Sequence, residues 1–454
     1  MAKNDFSTGD VRRHIVNMAI PTIFAQLVNV LYSVVDRIFI GHIPAAGSTA
    51  LTGVGVAVPI ISAISAFTAL CGSGGAPLCS IERGKGELQK AEQIMGNAFT
   101  LLLLFGAVLT LLCQCFMRPI LYTFGASDVT FPYAQAYARI YVCGTFFVMI
   151  SLGMNYFINS QGFARIGMFT VAIGAVLNIL LDPLFIYVFH MGVAGAAWAT
   201  IISQFCSAAW ALSFLCSKKA ILHLRPGCMR LSAPVVKRIL GLGITGFSAN
   251  VTNSIVLVCN NAQLLRYGGD IYVGAMTIIY SVREVMLMIS HGFATASQPV
   301  LGYNYGAGRQ DRVKQAIGFM TKVTLIYTTA GWVFLMLLPR PMASVFTSDA
   351  ELIRVCIPSL RWFFCGFMFM GLQAAGQSIF VGLGMAKRAT FFSLLRKVII
   401  VVPLVYLLPL AFGVNGVYMA EPVSDLLGGG ACYLTMYLTV YRKLNSNAPE
   451  RLEQ

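Results

Sequence analysis

IPTIFAQLVNVLYSVVDRIFIG, residues 20–41, is apolar over a length that crosses a bilayer, yet it holds Pro21 near one end and Asp36 near the other. About 20 mostly apolar residues span the hydrocarbon core of a membrane. A carboxylate inside such a span costs about 3 kcal/mol on insertion scales, so it persists chiefly where it faces a cavity or does a job. A proline in the same helix removes one ladder hydrogen bond and invites a kink. Two readings follow. Either Asp36 is a buried titratable group in a helix that Pro21 lets bend, or it sits near the interface, hydrated or paired with Arg37.

The surroundings of this stretch fix the class of protein. Of 454 residues, 57% are hydrophobic and only 11% charged, against about a quarter charged in soluble domains, and the mean hydropathy is +0.75. The chain is therefore an integral membrane protein. Its formal charge of +15 comes from Lys and Arg in short clusters between apolar runs, without an aromatic-studded basic domain, which excludes nucleic acid as partner. The opening MAKNDFSTGDVRRH has no short apolar run before a small-residue cleavage site, so no removable signal peptide is expected. The twelve cysteines are scattered, among them Cys71, Cys143, Cys206 and Cys365, with no CxxC pair. They are expected to be small buried residues, not disulfides or a metal site.

Hydropathy broken at Gly, Pro and charge predicts twelve spans, at residues 14–40, 51–75, 93–115, 132–158, 168–189, 194–215, 239–264, 273–300, 316–338, 351–380, 390–411 and 416–440. Alternate loops carry most of the basic residues, including Arg12, Arg13, Arg83, Lys85, Arg165, Arg309, Arg312, Lys387 and Arg388. That asymmetry predicts both termini in the cytoplasm. The chain also repeats itself. GKGELQKAEQIMG (84–96) matches GAGRQDRVKQAIG (306–318), RPILYTF (118–124) matches RPMASVF (340–346), and GVAGAAWA (192–199) matches GVNGVYMA (413–420). Arg139 with Cys143-Gly144 matches Arg361 with Cys365-Gly366. Each repeat holds six spans, so the halves are expected to run parallel, with the working site near the midplane between or inside them. The expected organisation is an N-lobe (1–215), a cytoplasmic basic linker (216–238), a C-lobe (239–441) and a cytoplasmic tail (442–454).

Few residues in the spans can do chemistry. Asp182 stands directly before Pro183 in NILLDPLFIYVF (178–189), where the helix is expected to break and free backbone carbonyls. A carboxylate beside such carbonyls suits a cation or a proton, or else caps a kink. Asn178, four residues earlier, shares its face. Asn260 stands where Asp36 stands in the first half, so the halves are chemically unequal. Glu421 and Asp425, four apart in the last span, are like charges on one face. Glu284 beside Arg283 reads as a self-compensated pair, His291 as a packing residue, and Arg139 and Arg361 as snorkelling side chains. Gly72-Ser73-Gly74-Gly75 reads as a packing feature. No nucleophile with its base, HExxH, Walker loop or dinucleotide fingerprint occurs.

These residues resemble a known family. Ile20, Pro21, Gln26, Val35, Asp36, Phe39 and Gly41 look like the first span of the multidrug and toxic compound extrusion (MATE) transporters, and QPVLGYNYGAG (298–308) looks like the family's signature after the eighth span. The resemblance covers essentially the whole chain. It implies an all-α polytopic fold of twelve helices in two six-helix lobes. In the DinF-like and MepA-like branches it implies a coupling site in the N-lobe, whose pattern matches Asp36, Asn155, Asn178, Asp182 and Thr200 here. Sodium, if it is the coupling ion, would sit at Asp36, Asn178 and Asp182. The NorM-like branch has a C-lobe site with a Glu in span seven and an Asp in span ten. Here FSANVTNSIVLVCNNAQLL (247–265) has no acid and the tenth span offers Gln373 and Gln377, so that site is not carried over. A separate polar and acidic C-lobe set remains, comprising Asn260, Glu284, Gln373, Gln377, Glu421 and Asp425.

The expectation is a secondary antiporter, not an enzyme. It would export amphipathic or cationic small molecules against inward proton or sodium flow, with no further cofactor and no nucleotide. It would work as a monomer in contact with lipid in the inner or plasma membrane. The rival readings are a flippase for lipids or lipid-linked oligosaccharides, a passive channel and an intramembrane enzyme.

Overall fold

Backbone in a bilayer must satisfy its hydrogen bonds within each segment, which turns long apolar runs into helices. The structure, a computed structural model, describes residues 5–43 and 47–445, and no strand occurs among them. In chain order the spans are α1 (Val11–Gly41), α2 (Gly47–Gly84), α3 (Leu88–Cys115), α4 (Phe131–Cys143 with Thr145–Ser160), α5 (Ala164–Val188) and α6 (Gly192–Cys216). The second half repeats them as α7 (Ala233–Gly268), α8 (Asp270–Gly306), α9 (Gln310–Leu337), α10 (Ala350–Phe364 with Phe367–Gly382), α11 (Ala386–Phe412) and α12, residues 414–441. The expected polytopic helical fold is present, and its helices run past the hydrophobic stretches at both ends. α2, for example, continues nine residues beyond the expected end at 75.

The matched Arg…Cys-Gly motifs mark a shared bend. α4 turns by 57° at Gly144 and α10 by 46° at Gly366. A methyl group on Gly144 would strike Ile201 of α6, and one on Gly366 would strike Pro422 of α12. Each bend therefore sits where the helix presses on a neighbour, and glycine is what allows the approach. Cys143 and Cys365 lie at these bends and are exposed, as are Cys115 and Cys216; only Cys71, Cys79, Cys356 and Cys432 are fully buried. The expectation of buried cysteines is corrected accordingly, because a bend turns its outer edge away from the packed neighbour.

Contacts divide the chain into two units, one comprising Ile20–Phe247 and the other Asp5–Ala19 together with the chain from Ser248 onward. The stretch expected to be a separate linker, 216–238, belongs to the first unit. Gln161 Oε1 accepts the Ile221 and Leu222 N–H groups, Asn97 takes the Ser232 N–H and gives to the Arg230 carbonyl, and Arg238 donates to Glu82 at 2.8 Å. Buried polar side chains hold this peptide because its own backbone groups lack helical partners. The glycine cluster of α2 is a packing feature. A methyl on Gly72 would meet Tyr156, one on Gly75 would meet Phe157, and one on Gly74 would meet the backbone of Ile239 and Gly243. In the second unit, Arg312 Nη1 and Nη2 donate to the carbonyls of Gly9, Phe6 and Thr8, seating the segment that leads into α1. Residues 446–454 of the expected tail lie outside the described residues.

Candidate functional site

Asp36 is five residues from the end of α1, on the turn after Tyr32. The helix runs through Pro21 without interruption, so the proline does not break α1. Asp182 is fully buried near the end of α5, and Asn178, 2% exposed, is one turn before it. Pro183 does disturb the ladder, as expected, and a π-helical turn, Leu184–Val188, follows it. Such turns widen the helix and are frequent at functional sites. The carboxyls of Asp36 and Asp182 face each other within hydrogen-bonding reach. Two ionised carboxylates cannot donate to one another, so a proton or a cation must stand between them for both to remain there.

The remaining contacts fix the geometry around that pair. Asn178 Nδ2 donates to Asp182 Oδ1 at 3.2 Å and approaches Thr200 Oγ1 at 3.4 Å. The Thr200 hydroxyl donates to the Ala196 carbonyl one turn back on α6. Tyr137 of α4 stands beside Thr200, and the Tyr187 hydroxyl donates to the Phe39 carbonyl at 2.7 Å, tying α5 to α1. Tyr32 and Tyr141 close the remaining sides, near enough to feel the charge of Asp36. Three buried oxygens, Asp36 Oδ1, Asn178 Oδ1 and Asp182 Oδ2, have no hydrogen-bond donor among the described residues. Three oxygens without donors, two of them from carboxylates, are a donor set that suits a hard cation or a shared proton. Arg37 is exposed and makes no ion pair with Asp36, since consecutive helical residues point about 100° apart.

Of the five residues expected here, the structure brings together four. Asn155 lies elsewhere: its Nδ2 donates to the Gly167 carbonyl at 3.2 Å. Gly167 is eleven residues before Asn178 on α5, about 16 Å along a helix at 1.5 Å per residue. Tyr32, Tyr137, Tyr141 and Tyr187 were not singled out by sequence reasoning. Tyr32 is four residues before Asp36 and could have been found by the same-face rule; the others come from different helices and carried no such signal. A small open cleft with about 20 Å³ of free space, enough for a water, reaches Tyr32 and is lined by Asn29, Ser151, Thr170, Gln204 and Ser207.

The residues expected to form a polar set in the second half are placed as follows. Glu421 and Asp425 share a face, and they do not stand as an uncompensated acid pair. Lys397 Nζ donates to Glu421 Oε1 and Arg396 Nη1 to Asp425 Oδ1, both at 2.7 Å. Arg283 turns to Glu421, at 3.8 Å, and Glu284 is exposed, so the expected Arg283–Glu284 pair is replaced by pairing across helices. Adjacent residues diverge around a helix, whereas α8 and α12 bring their charges together. Asn260 donates to the Tyr280 hydroxyl at 2.6 Å, Gln377 to the Ala389 carbonyl, and Gln373 packs against Gly429. His291 is exposed, contrary to the packing role expected for it.

Long apolar helices throughout the described residues, with a pair of facing acids inside one unit, define a polytopic membrane protein. The family model MatE matches residues 21–184 and 247–407; the chain belongs to the MatE family. It is 22% identical over 441 residues to the multidrug export protein MepA of Staphylococcus saprophyticus, covering 95% of each chain. It is 23% identical over 427 residues to an FAD transporter of Shewanella oneidensis, covering 93% of this chain and 94% of that one. Among solved structures, a MATE protein in complex with MaL6 superposes with a TM-score of 0.90 at 22% identity, over 98% of this chain and all of that one. A MOP superfamily transporter from Pyrococcus furiosus, described as having a binding pocket of reversed polarity that suggests a different function, superposes with a TM-score of 0.90 at 23% identity, over 97% and 98% of the two chains.

Proposed function

We propose that the protein is a secondary antiporter that exports amphipathic organic compounds in exchange for an inward-moving proton or sodium ion held at Asp36, Asn178 and Asp182. The observation that carries this reading is the pair of facing carboxyls with three donorless buried oxygens around them. Emptied of its ion, the site would hold two carboxylates in a low-dielectric interior, where their repulsion and desolvation are strongest. The ion-free site therefore favours a conformation that separates α1 from α5 or admits water. α1 is suited to that change: Pro21 leaves one ladder bond unmade, and the chain enters the first unit at Ile20, directly before it.

Coupling requires that ion and cargo prefer different conformations, because a ligand shifts an equilibrium only by its differential affinity. The small cleft shares Tyr32 with the surroundings of the ion site, so a movement of α1 that displaces Tyr32 would be felt in both places. Similarity to a multidrug export protein and to an FAD transporter alike supports amphipathic organic compounds as the cargo class. The basic loops support a placement in the inner or plasma membrane with both termini in the cytoplasm, and the protein would work as a monomer, without nucleotide and without catalysis.

Efflux of a fluorescent amphipathic cation from proteoliposomes, under an imposed pH gradient or an imposed sodium gradient, tests the reading and identifies the ion. Asp36→Asn is expected to abolish gradient-driven efflux while the purified protein keeps its melting temperature. Normal efflux by that variant under either gradient would overturn the mechanism.

A further inference from the structure

In the second unit, three cations, Arg396 and Lys397 buried and Arg283 partly so, face two acids. Lys397 and Glu421 close on each other at 2.7 Å, as do Arg396 and Asp425. Arg283 is the remainder. Its nearest acid oxygen is Glu421 Oε2 at 3.8 Å, beyond hydrogen-bonding distance, and the neighbouring Glu284 is exposed and makes no ion pair with it. The cluster thus carries a formal excess of one positive charge inside a lobe of apolar helices. An unmatched charge there is costly, and a site that keeps one is built to receive its counter-charge from a ligand.

The geometry around Arg283 agrees with that role. Its side chain is 15% exposed, against 9% for Arg396 and 5% for Lys397, so the unmatched cation is the most accessible of the three. Arg396, Lys397 and Asp425 sit on two π-helical turns, Leu395–Val401 and Asp425–Gly429, and the Ser424 hydroxyl donates to the Arg396 carbonyl at 2.9 Å. The two paired cations are therefore held in place from both helices. Glu421 Oε2 receives no hydrogen bond and lies 3.5 Å from Arg396 and 3.8 Å from Arg283. It is a loose partner, which a better-placed oxyanion outcompetes.

We propose that Arg283, backed by Arg396 and Lys397, binds the acid group of an amphipathic cargo, so that the protein carries compounds bearing a carboxylate or phosphate and not plain cations alone. The guanidinium fork matches the two oxygens of either group. The proposal rests on the transporter reading above and narrows its substrate class.

The test uses the full-length protein in phosphatidylcholine vesicles and a matched pair of rhodamine dyes, one with a free carboxylate and one with that carboxylate esterified. Wild type is expected to export both. Arg283→Gln is expected to lose carboxylate-dye transport by about tenfold or more, the worth of a charge-assisted hydrogen bond, with ester transport within about twofold. Arg283→Lys is expected to restore part of the carboxylate transport, and unchanged melting of both variants in detergent excludes misfolding as the cause. Equal loss of both dyes, or no loss of either, overturns the proposal. If wild type moves only the ester, this proposal fails and the transporter reading stands; if it moves neither under any gradient, the transporter reading fails and this one falls with it. Replacing part of the phosphatidylcholine with phosphatidylglycerol separates cargo from lipid. Undiminished carboxylate transport supports a cargo site, and competition by the anionic lipid overturns it in favour of a headgroup site.

Discussion

The two halves of the chain descend from one pattern and solve the problem of buried charge in opposite ways. The first unit keeps two acids face to face with no buried base beside them. The second has Asn260 in place of Asp36 and Val402 ahead of Pro403 where the first has Asp182 ahead of Pro183, so both acids are gone. It has instead gained Glu421 at the counterpart of Thr200 and surrounded it with Arg283, Arg396 and Lys397. The lesson concerns what each arrangement permits. Acids without bases need a mobile cation to remain together, so their conformation depends on an ion; acids with bases are settled by the protein itself. On the function proposed above, the first acts as a switch, and the second is a fixture with one charge to spare.

The contrast can be broken most directly at Asp182. Asp182→Asn removes one of the two facing charges and is expected to reduce gradient-driven efflux more than about a hundredfold while leaving the melting temperature unchanged or raised, since a costly buried acid has gone. The reverse holds in the second unit. Glu421→Gln leaves three cations with one acid and is expected to destabilise the protein by about 3–5 kcal/mol, read as a fall in melting temperature in detergent. Much of that loss should return in the double variant Glu421→Gln with Lys397→Met, which removes the orphaned cation as well. If Glu421→Gln melts normally, the second cluster is not self-compensating and the contrast between the units is lost.

Two smaller effects sharpen it. Thr200→Val keeps the shape but removes the hydroxyl that Asn178 approaches, and is expected to cost about 1 kcal/mol of site organisation, seen as about a fivefold fall in efflux. Asn155→Ala is expected to leave the choice of coupling ion unchanged, because its amide serves the Gly167 carbonyl and not the acids. A change in ion dependence in that variant would return Asn155 to the site.

Much of the architecture is legible in residue order. Span length, basic loops and the repeat are written in apolar runs that must become helices, and the costly positions of Asp36 and Asp182 announce themselves within single segments. Asn178 was readable too, because it shares a helix with Asp182 at a spacing of four. What could not be read is whatever depends on which helix lies beside which. Tyr137 and Tyr141 reach the acids from α4, Arg283 abandons its neighbour Glu284 for a residue about 140 positions away, and Asn155 falls a long helix stretch short of a site it was expected to join. The sequence by itself determined the class of protein, the two lobes and the presence of unpaired acids in one of them, because these follow from the cost of polar groups in a bilayer. Only the tertiary structure decided which charges neutralise one another, because pairing depends on distance across helices, and no spacing along one helix encodes it.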